Sequence, residues 1–134
     1  MPTLLFACVA NSARSQLGEA IARHLAPDGF DIWSAGSRPS NVKPQVHTAL
    51  AEIGVDSRGL RSKGFLAVPT EDVDVVVTLC QDEVCPVFPA RVQQLHWPLP
   101  DPAAAPPSES LEAFRATRDE LLRRVPSLLT TLGA

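Results

Sequence analysis

The chain has no tyrosine, a single methionine and only three cysteines among 134 residues. It also lacks an excess of positive charge: 12 basic against 15 acidic side chains leave a formal charge of −3 at pH 7. A general nucleic-acid binder is held by a positive field, so no nucleic-acid partner is expected. No run approaches the roughly 18 apolar residues that a membrane span needs, and no membrane association is expected. The opening residues, Met1 to Ala7, carry no basic region ahead of their apolar ones. No signal peptide is therefore expected, and a cytoplasmic setting is. An odd set of cysteines, Cys8, Cys80 and Cys85, then excludes a disulfide scaffold and implies reduced thiols. Even with His96 as a fourth ligand these cysteines lack the paired spacing of a structural zinc site, so no metal is expected. What remains is 45% apolar and 20% charged sequence, ordinary for a globular chain. Its length suits one domain, residues 1–134, with one modest core, and it is expected to be a monomer with no bound cofactor.

Strands and helices alternate in the hydrophobic pattern. Thr3 to Val9 is a continuous apolar run, as in a strand covered on both faces. Leu17, Ala20, Ile21, His24 and Leu25 then form the stripe of an amphipathic helix that Pro27, Asp28 and Gly29 stop. Phe30 to Ser34 is a short strand. Pro44 opens a second helix with a stripe of Val46, Ala49, Leu50 and Ile53, which Gly54 ends. Val73 to Leu79 is rich in β-branched residues, and Val92 to Trp97 forms a fourth strand. Five of the 13 prolines fall between Pro98 and Pro107, which reads as a long loop. The last helix starts near Ser108 or Ser110 with a stripe of Leu111, Phe114, Leu121 and Val125, and Pro126 is expected to kink or end it. The expectation is an α/β, three-layer fold: a central four-stranded parallel sheet with helices on both faces. Ligands in such sheets bind beyond the carboxyl ends of the strands. The loops carrying Cys8, Cys80 with Cys85, and Asp101 should therefore share one rim.

Cys8-Val9-Ala10-Asn11-Ser12-Ala13-Arg14-Ser15 joins the buried strand to the first helix. Each part has a use if the ligand is a tetrahedral oxyanion. The strand-to-helix turn aims successive backbone N–H groups inward at a helix N-terminus, which forms an anion nest. The planar guanidinium of Arg14 matches two oxygens at once. Cys8 lies at the base, where the same N–H groups favour a thiolate. Ser15 is placed to donate to that sulfur, and Asn11 to brace the strained loop by bonding its backbone. The glycines that a nucleotide loop needs are missing.

The Cys-x5-Arg-Ser loop, with Asn11 inside it, resembles that of the low-molecular-weight protein tyrosine phosphatase superfamily. Within it, Trp33-Ser34-Ala35-Gly36, Val76-Val77-Thr78-Leu79-Cys80, Cys85-Pro86 and His96-Trp97-Pro98-x-Pro100-Asp101-Pro102 resemble the thioredoxin-coupled arsenate reductases. The resemblance covers the chain from Leu4 to the final helix. It implies that Cys8 attacks arsenate while Asp101 protonates the leaving oxygen. It further implies that Cys80 attacks Cys8 to release arsenite, and that Cys85 moves the disulfide to Cys80–Cys85, where thioredoxin, the external reductant, reduces it. Ala103-Ala104-Ala105 stand where the tyrosine phosphatases of this family usually place an aromatic residue, which suits a small inorganic oxyanion. A phosphatase with protective thiols, or an oxyanion-binding or redox-sensing module, are the alternatives. Some relatives bind potassium through residues matching Asn11, Glu19 and Ser34 plus an acidic residue. Lys63 stands near that last position here, so no potassium dependence is expected.

In an intact helix, residues five apart rise about 7.5 Å along the axis, whereas a disulfide needs Cα atoms roughly 4.4–6.8 Å apart. The segment from Cys80 to about Pro89 is therefore expected to be mobile and to rearrange on oxidation. Crystal structures of the reduced and Cys80–Cys85-oxidised protein should differ there, and matching conformations would refute the expectation.

Overall fold

The computed structural model describes residues 2–81 and 88–133. Four strands, β1 (Thr3–Cys8), β2 (Asp31–Gly36), β3 (Val75–Thr78) and β4 (Gln93–His96), are joined by α1 (Arg14–Leu25), α2 (Pro44–Ala51) and α3 (Ser110–Thr131). Each strand lies within a residue or two of its sequence-based bounds. All pairings are parallel and the order is β2-β1-β3-β4. β1 therefore has a neighbour on each side, and the chain leaves it in opposite directions. That is a topological switch point, where the loops after β1 and β3 part and leave a crevice at the strands' carboxyl ends.

The two faces of β1 explain its unbroken apolar run. Leu4 and Phe6 pack with Leu17 and Ile21 of α1, Val46 and Leu50 of α2, and Phe114, Leu121 and Val125 of α3. Leu5 and Ala7 point the other way, in a cluster with Ala35, Val68, Val73, Val76 and Val92 against which Trp33, Phe88 and Phe65 of the short 3-10 turn Phe65–Ala67 pack. The layers are thus uneven: the three long helices share one face, and among the described residues the other is covered by short turns and Phe88. α1 lies so close to the sheet that a Cβ at Gly18 would come within 2.7 Å of the Phe6 ring.

Two details depart from the periodic pattern. His24 and Leu25, placed in the buried stripe of α1, are exposed, whereas every residue from Arg14 to Ala22 is buried, Gln16 and Glu19 included. The first turns of α1 are covered on their polar side by the segment around Arg61 and Lys63, which no apolar periodicity reports. Nor does α3 end at Pro126: it runs on to Thr131 with Leu128 and Leu129 buried. Apolar packing on both sides of Pro126 offsets the single N–H that it removes. Residues 82–87, and with them Cys85 and most of the segment expected to be mobile, lie outside the described residues.

α2 and α3 are tied by charge at their shared surface. Glu52 pairs with Arg115 at 2.6 Å and Arg118 at 2.7 Å, and Arg118 also donates to the Ala49 carbonyl at 2.9 Å. Hydrogen bonds from Arg115 and then Arg118 hold the Glu52 carboxyl at about 2, below its usual value of 4.5. A lowered acid stabilises the fold above its unfolded value and loses that contribution as pH falls through its folded one. Glu52→Gln should therefore lower the thermal midpoint modestly at pH 7. The gap from wild type should close as pH falls from about 4.5 towards 2, as read by circular dichroism melts.

Candidate active site

The loop after β1 is shaped by what happens to its carbonyls. Val9 O accepts from Arg38 N at 2.9 Å, Ala10 O from Ser40 N at 3.2 Å and Ser62 Oγ at 3.1 Å, and Ser12 O from Lys43 N at 3.0 Å. With its oxygens engaged by the segment 38–43 that follows β2 and by Ser62, the loop turns its N–H groups the other way. Such close contact needs the missing side chain of Gly36, where a Cβ would lie 2.3 Å from Val9 O. Asn11 takes the left-handed conformation at φ 48°, reversing the chain within the loop. α1 then begins at Arg14 with no side-chain cap and no acidic residue in its first turn. Its first N–H groups lack the local acceptor that helices usually supply, which suits an anion.

The side chains beneath the loop form a connected buried set. Cys8 Sγ lies 2.9 Å from Ser15 Oγ. Asn11 Nδ2 donates to Ser15 Oγ at 2.8 Å and to Ser34 Oγ at 3.0 Å, and Ser34 in turn donates to Glu19 Oε1 at 2.6 Å. The Lys63 ammonium closes the chain, 3.2 Å from Glu19 Oε1 and 3.4 Å from Ser34 Oγ. Asn11 was expected to brace the loop's own backbone. Its oxygen instead accepts from Gln16 Nε2 and the Lys63 backbone N–H, which ties the loop to a distant segment. Arg14 is buried, and its Nη1 donates to Leu79 O at 3.3 Å and Leu99 O at 3.0 Å. Those carbonyls follow β3 and β4, so the guanidinium is fixed by the two neighbouring rim loops.

Cys8, Val9, Ala10, Ser12, Ala13, Arg14 and Asp101 line one pocket of about 210 Å³. The structure thus brings the loop and Asp101 together, as the shared rim implied. Asp101 is exposed, and its Oδ1 accepts from Ala103 N at 3.0 Å, which steadies the carboxylate on the proline-rich loop. Cys80 is buried and next in sequence to Leu79, whose carbonyl holds Arg14. Cys85 lies outside the described residues. Gln16 and the carbonyl anchors of Arg14 were not foreseen. A polar residue on a helix reads as solvated, and a backbone acceptor has no sequence signal at all. Gly36 at the end of a strand was a visible hint of close backbone approach.

A parallel α/β sheet with a Cys-x5-Arg loop at its switch point defines the class: a cysteine-based oxyanion-binding domain. Comparison with known proteins makes this specific. The low molecular weight phosphotyrosine protein phosphatase family matches residues 3–134, and the chain belongs to that family. It is 34% identical over 132 residues to an arsenate reductase of Halalkalibacterium halodurans, covering 96% of this chain and 95% of that one. A solved arsenate reductase in the phosphate-binding state is 32% identical, with a TM-score of 0.84 over 98% of both chains. A thioredoxin-dependent arsenate reductase of Corynebacterium glutamicum is 30% identical, with a TM-score of 0.69 over 95% of this chain and 63% of that one.

The potassium expectation turns locally on charge. The oxygens of Glu19 and Ser34 that would face a cation already face the ammonium of Lys63, so the residues present do not fit a potassium ion. Phosphate affinity should be equal in potassium and sodium chloride at constant ionic strength. Lys63→Ala leaves the buried Glu19 with only the half-exposed Arg23, 3.5 Å away, as an ion-pair partner and should cost about 3 kcal/mol in urea unfolding.

Proposed function

We propose that this protein reduces arsenate to arsenite. The observation that carries the reading is the single pocket lined by Cys8, Val9, Ala10, Ser12, Ala13, Arg14 and Asp101. It is supported by the full-length similarity to arsenate reductases. Arsenate enters with its oxygens on the loop N–H groups and Arg14. The Cys8 thiolate attacks arsenic and forms an S–As bond, while Asp101 gives its proton to the departing oxygen, which leaves as water. The Cys80 thiolate then attacks Cys8 Sγ. A Cys8–Cys80 disulfide forms, the S–As bond breaks, and its electron pair stays on arsenic, giving arsenite. Cys85 attacks Cys80, returning Cys8 as thiolate and leaving a Cys80–Cys85 disulfide. A dithiol protein of the thioredoxin type reduces that disulfide, each step being thiolate–disulfide exchange. The enzyme works as a cytoplasmic monomer with no bound cofactor. Among the described residues no helix is long and apolar enough to cross a membrane.

Hydrolysis of a phosphate ester needs Cys8, Arg14 and Asp101 but no second thiol, so the two activities separate at Cys80. With arsenate, thioredoxin, thioredoxin reductase and NADPH, Cys8→Ser, Cys80→Ser and Cys85→Ser should each abolish sustained NADPH oxidation. Turnover that survives loss of Cys80 and Cys85 overturns the relay. Hydrolysis of an aryl phosphate as the main activity, undiminished in Cys80→Ser, would identify a phosphatase instead.

A further inference from the structure

The hydrogen bonds under the loop have a direction, and one residue outside the loop sets it. Asn11 spends both protons of Nδ2, one on Ser15 Oγ and one on Ser34 Oγ. Ser34 gives its own proton to Glu19. Ser15 Oγ therefore accepts from Asn11, and its single proton is left for Cys8 Sγ, 2.9 Å away. If the Asn11 amide were reversed, its oxygen would face both hydroxyls. Ser34 is committed to Glu19, so Ser15 would turn its proton to Asn11 and leave the sulfur without it.

Two groups resist that reversal by donating to Asn11 Oδ1: the Lys63 backbone N–H at 2.9 Å and Gln16 Nε2 at 2.9 Å. Gln16 is fully buried, and its Nε2 also faces Asn11 O at 3.0 Å and Arg61 O at 2.9 Å. All three neighbours are acceptors, so only the amide nitrogen fits there. Gln16 Oε1 is left buried with no hydrogen-bond partner among the described residues. A buried unpaired acceptor is costly, and it is retained here because the opposite end of the same amide is needed as a donor.

We propose that Gln16 is a positioning residue: by donating to Asn11 it fixes the polarity of the Asn11–Ser15–Cys8 chain, so that the Ser15 hydroxyl donates to the nucleophile and favours its thiolate. This rests on Cys8 being the nucleophile of the proposed reaction. Gln16→Glu keeps the shape but puts a carboxylate where a donor stood, inviting Asn11 to reverse and donate to it. Gln16→Met keeps the bulk and removes only the donor.

The readout is alkylation of Cys8 by iodoacetamide in the full chain, followed by peptide mass spectrometry, as the ratio of its rate at pH 6.5 to its plateau at pH 9. A hydrogen bond to the charged form favours that form, so the ratio should fall about tenfold in Gln16→Glu and about threefold in Gln16→Met. An unchanged ratio in variants that melt cooperatively overturns the proposal. So does a lower plateau with the ratio unmoved, since that marks a merely structural role. Should neither variant fold, nitrogen-15 spectra of the wild type decide. The Gln16 side-chain protons should exchange slowly, and the Asn11 Nδ2 signal should move in step with Cys8 ionisation. An Asn11 signal indifferent to that titration overturns the assignment. Arsenate reduction measured on the same wild-type protein separates the two readings. No reduction with a shifted ratio sinks only the function, and reduction with an unmoved ratio sinks only the role of Gln16.

Discussion

A run of backbone N–H groups can face one point only if the carbonyls of the same peptides are satisfied elsewhere. That constraint governs the loop from Cys8 to Ser15, and most of the surrounding structure meets it. Arg38, Ser40 and Lys43 supply backbone donors to Val9, Ala10 and Ser12, which leaves the opposite side of the loop open to an anion. The reversal at Asn11 and the bare Cα of Gly36 are local consequences of the same demand. So is the uncapped start of α1, whose first N–H groups add to the nest instead of closing on a side chain.

The second layer of the site is ionic and buried. Glu19 and Lys63 are almost wholly removed from water, an arrangement with a large desolvation cost on each side. Hydrogen bonds from Ser34 and to the Arg61 carbonyl complete their shells and limit that cost. An apolar pair of similar volume would pack at least as well, but it could not orient Ser34. Through Ser34 and Asn11 the charge pair reaches Ser15, and through Ser15 the sulfur. The stability given up in burying charge is returned as a fixed pattern of donors and acceptors around one thiol.

Much of the fold was legible because it rests on periodicity. The unbroken run of β1, the β-branched β3 and the stripe of α3 each report which faces are covered. The shared rim follows from a parallel sheet, whereas the switch point depends on the strand order that the fold supplies. The site was legible at Cys8, Arg14 and Asp101, where residue type and rim position coincide, and the pocket holds all three. It was not legible at Gln16. That residue reads as a solvated helix position and is fully buried because a segment some 45 residues away lies over it. The continuation of α3 beyond Pro126 was not legible either, because the burial of Leu128 and Leu129 against the rest of the core supports it. In both cases a contact distant in sequence decided burial, and local pattern carries no record of it.

The sequence by itself determined an α/β fold with an oxyanion loop between its first strand and first helix, since local spacing fixes both. It also placed Cys8, Arg14 and Asp101 on one rim, because each occupies the end of a strand or the loop just beyond it. Only the tertiary structure decided which hydrogen-bond donors and acceptors meet beneath the loop. Arg14 is held by carbonyls from two other strand ends, and Asn11 by a helix residue and by the backbone at Lys63. The direction of a hydrogen bond depends on every other partner of both groups, and those partners come together only when the chain has folded.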